Sequence, residues 1–147
     1  MRISLIIILF SALTFSQGVE ITSVTHSVVS GYSAYYQMKD RTYYASGETE
    51  LKKRYNSYWH TTGGVELGLS IYLGMQIEKQ NDDLLGIAKD VVLFSAVRWL
   101  LRDGTYNMLN GNPFFHQSNN TTAKLEPYGF WYVKLSYLVL AILWKYL

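Results

Sequence analysis

Four ionisable side chains stand inside otherwise apolar runs: Glu66 in 61–77, Asp90 and Arg98 in 84–101, and Lys134 in 128–147. A charge is costly in hydrocarbon and in a dry protein core, so each must pair, border water or belong to a binding site. Glu66 and His60 could move a proton, whereas Arg98 and Arg102 could hold an anion. Asp103 and His116 are further acid–base candidates, and Asn107 and Lys134 are further ligand contacts. His60, His116, Asp103 and Glu66 form a chemically admissible zinc set. No two of them have the short fixed spacing of a metal motif, so neither a metal nor another cofactor is expected.

Depth along the chain brings some of these groups together. If 61–78 and 84–102 are antiparallel helices joined by a turn near Gln80, equal rise per residue sets Glu66 level with Arg98. A last helix entered at Pro127 sets Lys134 at a similar depth, and Arg102, Asp103, Trp59 and His60 would lie just outside that layer as a polar vestibule. Helix macrodipoles alone also favour Glu66 near a helix start and Arg98 and Arg102 near a helix end, so structural pairing and ligand binding both fit.

The elements expected to position these residues are all helical. Met1 and Arg2 precede an apolar stretch that ends in small and polar residues, the order of a secretory signal or signal anchor over 1–17. From Ile21 to Gly47, Val24, Val28, Tyr32, Tyr35, Tyr36 and Tyr43 recur at helical spacing, which predicts an amphipathic helix at a membrane–water boundary or on the outer ends of other helices. The charged run 48–54 reads as a linker, Thr62 as the cap of the next helix, and Asp82 or Asp83 as the cap of the one after. Gly104 reads as a helix stop, and 106–126 as a long polar loop. The fold expected for 18–147 is a single all-α domain: a small helical membrane bundle made of a helical hairpin, a C-terminal helix and an amphipathic N-terminal helix.

Charged residues make up 16% of the chain, well below the roughly 25% of an average globular domain. With 13 Lys and Arg against 11 Asp and Glu there is no strong basic field, so nucleic acid is not an expected partner. The absence of cysteine excludes disulfides and thiolate chemistry. No phosphate-cradling glycine loop, nucleophile elbow or dinucleotide fingerprint is present. Gly64 with Gly68, and Ser70 with Gly74, form small-xxx-small pairs that let another helix approach closely in lipid. The expected role is therefore an exported or integral membrane protein of the cell envelope with a structural or interaction function, its partners being lipid, a second copy or another membrane protein. The alternative is a membrane-embedded enzyme or a binder of anions or lipid headgroups acting through His60, Glu66, Arg98 and Arg102.

Two features oppose the lipid setting. An exported N-terminus would leave Lys52, Lys53, Arg54 and Arg102 outside, against the positive-inside tendency. About 17 helical residues also span only roughly 26 Å of a 30 Å hydrocarbon layer. A soluble periplasmic or secreted bundle is the competing location.

Overall fold

The computed structural model describes residues 18–116 and 131–147. The segment 1–17 read as a signal or signal anchor, the part of the expected loop over 117–126, and Pro127 lie outside the described residues. Four helices and no strand are present among the described residues: α1 Val19–Ser46, α2 Thr49–Gln80, α3 Leu84–Leu109 and α4 Trp131–Tyr146. The all-helical expectation therefore stands. No described helix is long and apolar enough to cross a membrane.

The hairpin is not the one expected. α1 and α2 are the tightly joined antiparallel pair, and α1 lies between α2 and α3, which meet only weakly. Gly47 makes the reversal by adopting φ 77°, with the amides of Gly47 and Glu48 returning to the carbonyls of Tyr44 and Tyr43. The charged run 48–54 is helix rather than linker, because no breaker separates its Glu, Leu, Lys and Arg residues from the residues that follow. Thr62 consequently lies mid-helix, buried, with its hydroxyl on the carbonyls of Tyr58 and Trp59. Asp83 does cap α3, accepting from the Gly86 amide at 2.7 Å.

α1 also departs from its expected peripheral place. It is the central helix, and most of what it buries is polar: Thr22, Ser23, Thr25, His26, Ser27, Ser30 and Ser33, beside Val19, Val29, Gly31 and Tyr36. Ser23, Thr25 and Ser27 satisfy their hydroxyls on the carbonyls one turn back, at 2.7, 3.0 and 2.6 Å. Their small size permits a close crossing. A Cβ at Gly31 would stand 2.6 Å from Thr105 Cβ and 2.8 Å from the Arg102 carbonyl oxygen. Large apolar side chains fill three modest clusters instead, around Val29 and Leu69, around Val19, Leu73 and Ile77, and around Leu93, Ala96 and Ala141.

The interior thus mixes apolar and polar side chains, while part of the outer surface is aliphatic. Leu67, Ile71 and Met75 of α2 and Leu135, Val139, Leu140, Ile142 and Leu143 of α4 all point outward. Helix α3 does not stop at Gly104 but continues to Leu109. Gly104 is needed because the Phe114 ring lies where its Cβ would be, at 2.1 Å, and the left-handed glycine that follows the helix is Gly111, at φ 77°.

At the far end α1 and α2 project together as an arm held by tyrosines. Tyr36 is central, 5.3 Å from the ring of Tyr58 and 6.1 Å from those of Tyr32 and Tyr55. Burial among these rings pushes its hydroxyl up to about 12 from an ordinary 10. An unfolded chain ionises this group first, so its contribution to stability is complete below pH 10 and lost as pH rises towards 12. Alkaline unfolding followed by circular dichroism should begin in that window, and Tyr36→Phe should flatten the pH dependence. Equal slopes for both proteins would show that Tyr36 is not the responsible group.

Candidate functional site

Helix α3 presents Phe94, Ser95, Arg98, Trp99, Arg102 and Asp103 to a cleft whose opposite wall carries His26 of α1 and Ser70 of α2. Residues four apart lie on one helix face, which is why Arg98 and Arg102 open onto the same space. The cleft encloses about 410 Å³, within the range of about 300–1,000 Å³ typical of small-molecule sites.

Its charges are interlinked. Arg98 Nη2 donates to Glu66 Oε1 and to Ser30 Oγ, both at 3.3 Å, and so ties all three long helices together. Arg102 Nη1 donates to Asp103 Oδ1 at 3.3 Å, while Lys134 Nζ of α4 donates to Asp103 Oδ2. Lys134 also lies 5.4 Å from the centre of the Trp99 ring. Glu66 and Arg98 therefore meet directly, and Lys134 joins them only through Asp103 and Arg102.

The structure adds a histidine that sequence reasoning overlooked. His26 Nε2 lies 2.7 Å from Ser70 Oγ, and the Phe94 ring stands edge-on to the imidazole at 5.1 Å. Ser70 donates its hydroxyl to the Glu66 carbonyl at 2.9 Å, which assigns the proton of the shared bond to His26 Nε2. Nδ1 is buried without a partner. A lone histidine among serines and threonines has no spacing signal. The sequence clue to this helix was the run of small residues every four positions, Ser23, Ser27 and Gly31, which marks the close-packed face.

The other candidates lie elsewhere. His60 is exposed and stacks on Trp59 at 4.8 Å, away from the cleft lining. His116 is exposed in the loop after α3, and Asn107 spends its amide on the carbonyls of Phe114 and His116, at 3.1 and 2.9 Å. Asn107 thus staples the loop to the helix rather than facing a ligand. The space these two residues border with Lys134 is only about 20 Å³, room for about one water. Among the described residues, no three His, Cys, Asp or Glu side chains could jointly hold a metal, so the set His60, His116, Asp103 and Glu66 is not assembled. Among the described residues, nothing lies within 4 Å of a Cβ built at Gly64, Gly68 or Gly74. Ser70, grouped with them by spacing, instead engages His26.

A second charged group occupies the opposite end. Asp90, 0% exposed, accepts from Lys145 Nζ of α4 and from Asn81 Nδ2, the latter at 2.7 Å. This site has no cleft among those described and reads as an interhelical lock.

Chemically, the cleft offers two guanidinium groups beside an apolar wall, which equips it to hold an anion. Both carboxylates are engaged by cations, Glu66 by Arg98 and Asp103 by Arg102 and Lys134. Ser70 directs its proton to a backbone carbonyl, and no acid orients His26, so the relay of an activated nucleophile is absent. Comparison of the chain with family models, with curated proteins and with solved structures finds no match.

Proposed function

We propose that this chain is a membrane-embedded helical bundle of the cell envelope whose role is assembly, with itself or with another membrane protein, through the outer face of α2. The observation that carries the reading is the pairing of an exposed aliphatic surface on α2 and α4 with an interior that holds serine, threonine, histidine and paired charges beside its apolar residues. In water such a surface is an aggregation hazard, whereas in lipid it is the ordinary exterior. Of the charged residues of α3, Asp90 is buried, and Arg98, about two-fifths exposed, pairs with Glu66. The tyrosine arm around Tyr36 and Tyr58 would stand outside the lipid.

Gly64 and Gly68 supply the assembly surface. They lie one turn apart beside the exposed Leu67 and Ile71, and a partner helix could approach their backbone closely. Retention of the protein in membranes after an alkaline carbonate wash is the expected result, and release would leave a soluble exported bundle as the surviving reading. Gly64→Ile with Gly68→Ile should abolish self-association in a membrane helix-association assay. Undiminished association would remove the α2 face from consideration.

A further inference from the structure

The cleft holds more positive charge than its own carboxylates neutralise. Among the described residues, Arg98, Arg102 and the adjoining Lys134 pair only with Glu66 and Asp103, and Asp103 is shared by two of the three cations. The donors are likewise underused. Arg98 bonds only through Nη2 and Arg102 only through Nη1, so the other terminal nitrogen and Nε of each have no partner among the described residues. Both guanidinium groups are about two-fifths exposed, and both line the same cleft.

We propose that this cleft binds one singly charged phosphate-type oxyanion, with the free edges of Arg98 and Arg102 as its ligands. A planar guanidinium matches two oxygens of a phosphoryl group at once, which a lysine ammonium does not. The single surplus charge sets the preference for a monoanion. Phe94 and Trp99 add an apolar wall beside the cations. At about 410 Å³ the space exceeds what a bare ion needs and accommodates part of the attached alcohol. Such a group could be carried by a soluble phosphate compound or by an anionic phospholipid. The inference rests on the charges of the cleft and does not require the lipid setting proposed above.

The test uses the full chain purified in neutral detergent, with two probes. Labelled inorganic phosphate is followed by equilibrium dialysis, and phosphatidylglycerol retention by native mass spectrometry. At least one probe should bind saturably at one per chain, and Arg102→Gln should weaken it by about tenfold or more. This variant leaves Asp103 held by Lys134, so the bundle should persist, as circular dichroism would report. Should it unfold, the double change Arg98→Lys with Arg102→Lys keeps the charge, removes the forks and should show the same loss. Phosphate binding points to a soluble source, and phosphatidylglycerol binding alone to a headgroup; either supports the site. Binding of neither probe, or undiminished binding by a folded variant, would overturn it.

Discussion

Asp90→Ala should be the most damaging single substitution in this bundle, lowering stability by about 3–5 kcal/mol. Asp90 is fully buried and is the acceptor for both Lys145 and Asn81. Its removal leaves the largely buried Lys145 ammonium without compensation, and that stranded charge, rather than the loss of the attraction itself, dominates the cost. Replacing both partners, Asp90→Leu with Lys145→Met, should therefore recover most of the loss. Thermal unfolding in detergent measures both proteins. A single variant as stable as the parent would show that water reaches the pair, and an unrecovered double variant would show that Asn81 or local packing carries the energy.

Gly31→Leu should be nearly as harmful, through volume instead of charge. Even the first added carbon meets Thr105 and the Arg102 backbone, so α1 and α3 must separate along their whole crossing. Overpacking of this kind costs about 1–3 kcal/mol or more. Gly63→Ala is the matched control: its Cβ enters open space and should stabilise α2 by up to about 1 kcal/mol, the gain in helix propensity. Comparison of the unfolding midpoints of the two variants separates helix propensity from helix contact. Similar midpoints would mean that α1 and α3 are not packed through Gly31.

What the sequence conveyed and what it concealed follow from how residues act at a distance. Glu66 and Arg98 could be aligned from rise per residue alone, because both distances are counted from the shared turn at Asn81 to Asp83. The place of α1 could not be found that way. Its tyrosines dominate by size and suggest a boundary helix, while the decisive Ser23, Ser27 and Gly31 are inconspicuous and matter only once α3 lies upon them. Gly104 misled for a related reason: a glycine chosen to admit the Phe114 ring looks, in one dimension, the same as a glycine chosen for a positive φ. His26 was unreadable because its partner Ser70 lies 44 positions away on another helix.

Both lysines of α4 serve carboxylates of α3, Lys134 meeting Asp103 and Lys145 meeting Asp90. Because a ribosome makes α3 before α4, Asp90 and Asp103 are in place before the lysines of α4 can reach them. The final helix is therefore the electrical closure of the bundle. Without it, Asp103 keeps only Arg102 and Asp90 only Asn81, and the earlier helices are joined by small-residue contacts and by the Glu66–Arg98 bridge.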